Sequence, residues 1–208
     1  MALRLDLPER IALFPLSGAV LMPRARLPLH IFEPRYLQMI EDTLKTGHRL
    51  IGMVQPEADG LSAIGCAGRI VSFNENDDGR MMISLGAISR FRLLDVQDSF
   101  APYLQAKVDW SSFARDRGKP EHDPAMDRKA LFDLLARYME SRDLSTDWDA
   151  AAQAEDEMLI NSLSMMLPLS HGDKQALLES PTLVDRRELL VGLIEFALRG
   201  DEPEERLQ

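Results

Sequence analysis

Three neighbouring residues, Ser170, His171 and Asp173, have the side-chain types of a hydrolytic triad. They stand together at one predicted helix start, where Ser170 precedes Asp173 by three residues in a variant of the capping box. This spacing favours helix capping over catalysis. The single cysteine, Cys66, lies in a predicted strand, where a buried packing role is favoured over a reactive thiol. No catalytic residue is therefore predicted.

Phosphate and metal sites are also poorly supported. A P-loop needs the pattern G-x-x-x-x-G-K-[ST], but the single Gly-Lys pair, Gly118-Lys119, is followed by Pro120. Zinc sites need clustered ligands at spacings such as HExxH or CxxC, whereas the four histidines are far apart. They are His30, His48, His122 and His171. We expect no metal and no other cofactor, with a metal site assembled by tertiary contacts as a minor alternative.

The eleven methionines are a compositional oddity, because flexible thioethers suit adaptable apolar binding surfaces as well as irregular cores. Core packing is favoured for Met81-Met82 and Met165-Met166, since each pair lies in a regular element with a face to bury. Leu21, Met22 and Pro23 fall in a predicted loop, where apolar residues are unexpected unless they pack on something. We predict that this loop is exposed and binds polypeptide.

The charge balance disfavours nucleic acid as a partner. The 208 residues include 34 acidic and 24 basic side chains, and the net charge of −10 repels phosphate backbones on average. Most of the basic residues are arginines, so no lysine-rich block for an anionic membrane is present. The sequence also shows no signal-peptide core and no apolar run of roughly 18 residues. Together with the single cysteine, these features predict a cytoplasmic protein without membrane attachment.

Residues 1–110 have the pattern of a mostly-β unit, with short apolar runs separated by turn residues. Asn76–Gly79 tolerates positive φ, which predicts a hairpin. One helix interrupts the strands, because Pro34 suits a first helical position and an apolar stripe follows it up to Gly47. We expect this helix to cover one open end or edge of the sheet. The predicted strands are Ile11–Phe14, Leu27–Ile31, Leu50–Val54, Gly68–Asn74, Met81–Leu85, Phe91–Val96 and Leu104–Trp110.

A polar stretch at 111–125 separates this unit from a helical one at 126–200. The stretch contains Gly118, Pro120 and Pro124 and almost no apolar residues, as expected of a linker. Beyond it, apolar residues from Leu131 to Met139 recur at helical spacing. Further helices are predicted at about 155–167, after the Ser170 cap, and at 183–199. The acidic tail at 201–208 is expected to be frayed.

Several motifs occur in one order along the chain. Phe14-Pro15-Leu16, followed by Leu27–Tyr36 with the sequence LPLHIFEPRY, resembles the opening signature of the Lon substrate-binding (N-terminal) domain family. The resemblance covers nearly the whole chain and is most specific in its first third. Later matches are Gly65–Ile70, the Asp78-Gly79 turn, Gly86 with Arg90-Phe91-Arg92, Tyr103 with Ala106 and Val108, Leu167-Pro168-Leu169 and Lys174–Glu179.

This resemblance implies an α+β fold, in which a β-rich, PUA-like pseudo-barrel with one covering helix is followed by a C-terminal α-helical bundle. It also implies scaffold roles for motif residues at the barrel–helix junction. Aromatic side chains would pack there, and charged ones would form ion pairs or cap carbonyls. These residues are His30, Phe32, Glu33, Arg35, Tyr36, Arg90 and Arg92.

The family's role implies a non-catalytic module that recognises unfolded or apolar polypeptide segments. We expect a stand-alone protein without the ATPase and protease domains of Lon, acting as an adaptor or holdase with a protease or chaperone as a candidate partner. Two alternatives remain. One is a small-ligand- or RNA-binding PUA-like module, and the other is a peptidase whose site is assembled by tertiary contacts. An open apolar crevice between the β half and the helices, with Leu21 at its rim, would favour polypeptide binding.

Overall fold

The computed structural model describes residues 7–97 and 99–201, and its fold is α+β, as the sequence predicts. Helix α1, Pro34–Lys45, interrupts the strands and begins at the predicted proline. Two short strands, at Pro56–Glu57 and Gly60–Leu61, form a small hairpin that was not predicted, because two residues carry no periodicity. The strands are β1 Arg10–Pro15, β2 Arg26–Ile31, β3 Leu50–Val54, β4 Pro56–Glu57, β5 Gly60–Leu61, β6 Ile64–Glu75, β7 Met81–Gln97 and β8 Gln105–Asp109.

Helices follow the strands. The hydroxyl of Ser170 accepts a hydrogen bond of 3.1 Å from the Asp173 N–H, which confirms the predicted cap. The short helix at Trp148–Gln153 was not predicted. The predicted tail at 201–208 lies outside the described residues except for Asp201, which is the last residue of the final helix. After a 3₁₀ helix at Ser111–Arg117, the helices are α2 Arg128–Ser141, α3 Trp148–Gln153, α4 Asp156–Met166, α5 His171–Glu179 and α6 Leu183–Asp201.

The main sheet closes on itself through β7, which is 17 residues long. The first part of β7 pairs antiparallel with β2 and β6, and its last part pairs with β8, from Arg92 opposite Asp109 to Gln97 opposite Gln105. Strand β8 also pairs with β1, β1 runs parallel to β3, and β3 pairs with β6. The ring β7-β6-β3-β1-β8 is therefore a closed pseudo-barrel, with β2 added along β7.

The prediction of two separate strands at Met81–Leu85 and Phe91–Val96 is wrong, because β7 is continuous. Gly86, which lies between the two predicted strands, pairs with Arg69 within the ladder. Register shifts along β6 and β7 act as bulges. Bulges let a long strand bend, so that β7 can pair with β6 on one side of the barrel and with β8 on the other. The hairpin at Asn76–Gly79 is confirmed, with Gly79 at a φ of +77°.

A small apolar cluster fills the barrel, and Phe91 is its largest member. The ring of Phe91 occupies the space that side chains would need at Gly52 and Gly65. A Cβ atom added to Gly65 would lie 2.5 Å from this ring and 2.5 Å from the carbonyl oxygen of Met53. A glycine is therefore required at position 65 in β6, because the Phe91 ring and the backbone of β3 both approach it closely.

A buried arginine joins the barrel to the rest of the molecule. Arg90 in β7 donates two hydrogen bonds from its guanidinium to the carboxylate of Asp116, at 2.9 and 3.0 Å, and a third from its backbone N–H. It also donates to the carbonyl oxygens of Leu178 and Ser180 at the end of α5, at 3.0 and 2.7 Å. One side chain thus ties the barrel, the 3₁₀ helix and the helical half together.

A second buried arginine extends this network. Arg186 in α6 donates to the carbonyl oxygen of Leu177 at 2.9 Å and to Asn161 Oδ1 at 2.7 Å. Burial, and then the nearby charge of Arg90, lower the pKa of Arg186 to about 10, so the guanidinium group of Arg186 is still charged at neutral pH. Asn161 in turn donates to the carbonyl oxygen of Pro23, which joins α4 to the β1–β2 loop.

The stretch at 111–125 is packed between the two halves. Asp116 and Asp123 are buried, and Asp123 forms an ion pair with Arg187 of α6 at 2.5 Å. Arg24 of the β1–β2 loop donates to three backbone carbonyls of the stretch and forms an ion pair with Glu157 of α4. The sequence predicts a linker here, and in the structure two acidic residues of this stretch are buried and form ion pairs with the barrel and with α6.

Removing the partner of a buried charge costs more than breaking an exposed pair. We expect Asp116→Asn to lower the free energy of unfolding by about 3–5 kcal/mol, because Arg90 would keep a buried charge with a weaker partner. Glu33→Gln, which breaks an exposed ion pair with Arg35, should cost about 0–1 kcal/mol. Urea unfolding of both variants measures their free energies of unfolding. A similarly small decrease in both would contradict the role of the Arg90–Asp116 pair as an anchor.

The close approach at Gly65 gives a second test of the fold. We expect Gly65→Ala to destabilise the protein by about 1–3 kcal/mol or more, because a methyl group overpacks the barrel. Gly192→Ala is the matched control, because Gly192 lies in α6 and a Cβ atom added there would meet open space. This control should raise the free energy of unfolding by about 0.5–1 kcal/mol. Equal effects in urea unfolding would show that Phe91 does not constrain Gly65.

Candidate functional site

The loop predicted to bind polypeptide is not at the surface. Leu21 and Met22 are fully buried, and Pro23 is buried as well. Leu21 lies against Gly68 of β6, where an added Cβ atom would be 2.8 Å from its methyl group. The prediction of an exposed loop at the rim of an open crevice is therefore wrong. The loop is covered by the helical half, and its apolar side chains fill the core that both halves share.

The predicted junction residues do not form one cluster. Tyr36 is buried against Phe14, with ring centroids 4.3 Å apart, and the Arg35 guanidinium lies 4.5 Å from the Tyr36 ring centroid. Arg35 is also 2.8 Å from the Glu33 carboxylate at the surface. Arg90 contacts the helical half instead of α1. The remaining three are exposed, namely His30, Phe32 and Arg92.

One hydroxyl–imidazole pair resembles part of a hydrolytic site. Ser17 Oγ lies 3.4 Å from His171 Nδ1 in an exposed contact between the β1–β2 loop and α5. The Asp173 carboxylate does not orient this histidine, because it accepts a hydrogen bond of 2.6 Å from Ser170. Burial raises the pKa of the Cys66 thiol, so this group is not a thiolate at neutral pH. These contacts do not assemble a nucleophile, a base and an orienting acid.

An open apolar groove lies in the helical half, and its volume is about 560 Å³. It runs between α4 and the segment that leads from the end of α2 through α3. One side carries Met158, Ser162 and Met166 of α4, spaced four residues apart, with Met158 44% and Met166 79% exposed. The floor consists of buried leucines, and the facing side carries Leu144 and three alanines. The floor residues are Leu159, Leu163 and Leu167, and the alanines are Ala150, Ala151 and Ala154.

Helix α3 forms one wall of the groove, and polar contacts hold both of its ends. Asp147 caps its first turn through a hydrogen bond of 2.9 Å from the Ala150 N–H. Arg128 of α2 donates to three carbonyl oxygens at its end, at 3.0 to 3.2 Å, and to the Asp156 carboxylate of α4 at 2.9 Å. No described residue of α3 is fully buried. Trp148 of α3 also packs against Phe132 of α2, with ring centroids 6.1 Å apart, so an aromatic contact adds to these hydrogen bonds.

The groove was missed in the sequence because its walls come from segments with weak individual signals. Met158 and Met166 lie on the same helix as the predicted apolar stripe, at the spacing i and i+8. Their exposure depends on what packs against α4, which periodicity does not specify. The sequence favours core packing for Met165-Met166, and this prediction is wrong for Met166, whose side chain is 79% exposed.

The described residues place further limits on the site. In residues 7–97 and 99–201, no group of three or more His, Cys, Asp and Glu side chains is arranged to hold a metal ion. None of the helices in the described part of the chain is long and apolar enough to span a membrane.

Comparisons with known proteins agree with this architecture. The Lon protease of Dictyoglomus thermophilum is 23% identical over 192 residues, which are 89% of this chain and 22% of that protein. Lon protease 2 of Thermus thermophilus is 24% identical over 211 residues, which are 97% of this chain and 26% of that protein. This chain therefore spans about a quarter of the length of these relatives.

Solved structures support the same assignment. The Lon N-terminal domain protein from Xanthomonas campestris has a TM-score of 0.64 and 25% identity, covering 88% of this chain and 97% of that one. The N-terminal domain of the Mycobacterium avium complex Lon protease has a TM-score of 0.64 at 15% identity, which supports the fold alone. The family model of the ATP-dependent protease La (LON) substrate-binding domain matches residues 10–195. The chain therefore belongs to the Lon substrate-binding domain family.

Proposed function

We propose that this chain is a non-catalytic module that binds apolar polypeptide segments in the groove between α3 and α4. The observation that carries the proposal is the exposure of Met158 and Met166 beside a floor of buried leucines. Exposed apolar surface in a concave groove is typical of a binding site, because a soluble protein gains nothing from leaving it in water.

The composition of the groove suits varied ligands. Methionine side chains are flexible and polarisable, so they adapt to ligands of different shape. The alanines on the α3 side have small side chains, which leave space in the groove. Its volume of about 560 Å³ accommodates several apolar side chains. The family provides the biological context, since its model is described as a substrate-binding domain. Selection of polypeptides by shape and hydrophobicity fits that description.

The role in the cell follows from binding without catalysis. The module acts as an adaptor that brings bound segments to a protease or chaperone, or as a holdase that shields them. A peptidase is disfavoured because no acid in the described part of the chain is placed to orient the Ser17–His171 pair, and Asp173 accepts from Ser170. RNA binding is disfavoured by the net charge of −10.

Polar replacement of the exposed methionines tests the groove. We expect the double variant Met158→Gln, Met166→Gln to bind fluorescein-labelled peptides that tile an unfolded protein roughly tenfold more weakly, a loss of about 1.4 kcal/mol. Burial of a methionine side chain contributes about 1.5–3 kcal/mol, so this loss requires only partial burial of the two. Fluorescence anisotropy measures the dissociation constants.

Met82→Gln is the matched control, because Met82 lies in β7 and is 43% exposed, close to the value for Met158. It should leave peptide affinity unchanged. An equal loss in the control and the groove variant, or no loss in either, would overturn the assignment of the groove. Mass spectrometry of the incubated peptides should find no new termini, and their appearance would contradict a non-catalytic module.

A further inference from the structure

We propose that the preferred occupant of the groove is a basic amphipathic helix, a substrate class that rests on the proposed function and makes it more specific. The inference depends on two features of the groove. One is the charge of the chain segment that forms its α3 side, and the other is the scarcity of polar groups in its lining.

The segment from Met139 to Glu155 lines one side of the groove and is strongly acidic. It has five acidic residues and a single basic residue, and all six are exposed. The basic residue, Arg142, has its guanidinium 5.7 Å from the ring centroid of Tyr138. The acidic residues are Glu140, Asp143, Asp147, Asp149 and Glu155.

Other acidic residues near the groove are already neutralised. Asp156 is paired with Arg128 and His122, and Glu157 with Arg24. The excess negative charge therefore lies on the chain segment that forms the α3 side, which we call the rim. Asp147 is the acidic residue of this rim that lines the groove itself. A ligand with lysine or arginine beside its apolar residues complements both the rim and the floor, whereas an acidic ligand is repelled.

The lining also favours a helix over an extended strand. Four residues with polar side chains line the groove, Ser145, Thr146, Asp147 and Ser162, and Asp147 already caps α3. An extended peptide would bury N–H and C=O groups that need partners, whereas a helix satisfies its own. The stripe from Met158 to Met166 is about 12 Å long, which matches two turns of a docked helix with anchors at i, i+4 and i+7.

Three synthetic peptides test the inference by fluorescence anisotropy. All have the same apolar stripe, and their polar faces carry either lysine, glutamate, or lysine with a central proline that breaks the helix. We expect the lysine peptide to bind roughly tenfold more tightly than the glutamate peptide at 50 mM salt, with the difference shrinking at 500 mM because salt screens exposed charges. The proline peptide should bind at least about tenfold more weakly than its helical parent.

Charge removal on the protein tests the rim. The triple variant Glu140→Gln, Asp143→Asn, Asp149→Asn leaves the α3 cap intact, and Asn tolerates the positive φ of 52° at position 143. This variant should reduce the ratio of the affinities for the lysine and glutamate peptides by at least about fivefold. A matched triple variant of exposed acidic residues on the barrel, Glu75→Gln, Asp77→Asn, Asp95→Asn, should leave the preference unchanged.

The outcomes separate this inference from the proposed function. Equal binding of the lysine and glutamate peptides, weakened by the Met158 and Met166 replacements, would overturn the charge preference and leave the groove as an apolar polypeptide site. Equal binding of the proline peptide would overturn the helical occupant. An equal effect of the barrel triple variant would show that total charge, and not the rim, sets the preference. Failure of every peptide to bind would overturn both the proposed function and this inference.

Discussion

The buried guanidinium of Arg90 is the contact on which the arrangement of the two halves depends. A charge removed from water is tolerated when its polar atoms have hydrogen-bond partners, and Asp116 with the carbonyls of Leu178 and Ser180 gives each of the three guanidinium nitrogens of Arg90 a partner. These partners lie on the 3₁₀ helix and at the end of α5. The barrel and the helical half must therefore meet in one orientation, since any other would leave the charge without its partners.

This constraint also determines where a ligand can bind. Because Arg90 and the Arg186–Asn161 contact hold the halves closed over Leu21 and Met22, the junction is filled by core side chains. Exposed apolar surface in a concave setting is found instead at α4, beside the short helix α3, which has no fully buried residue. A rigid junction and an adaptable groove thus occupy different parts of the molecule, so binding need not disturb the fold.

Features set by neighbouring residues could be predicted from the sequence, whereas features set by distant contacts could not. The turn at Asn76–Gly79 and the cap at Ser170 follow from local backbone chemistry, and both are present. The burial of Leu21 and the continuity of β7 depend on what packs against them. Arg90 and Arg92 flank Phe91, which points into the barrel, yet the helical half covers Arg90 and leaves Arg92 exposed. No local pattern distinguishes these two arginines.

Methionine methyl groups allow the central claim, binding at the α3–α4 groove, to be tested in one measurement. A protein labelled with carbon-13 at its methionine methyl groups can be titrated with an apolar peptide and followed by NMR. The account predicts that the signals of Met158 and Met166 shift with peptide concentration, while those of buried Met22 and exposed Met82 do not. Shifts at Met22 or Met82, with Met158 and Met166 unchanged, would contradict it and place the ligand at the junction or on the barrel.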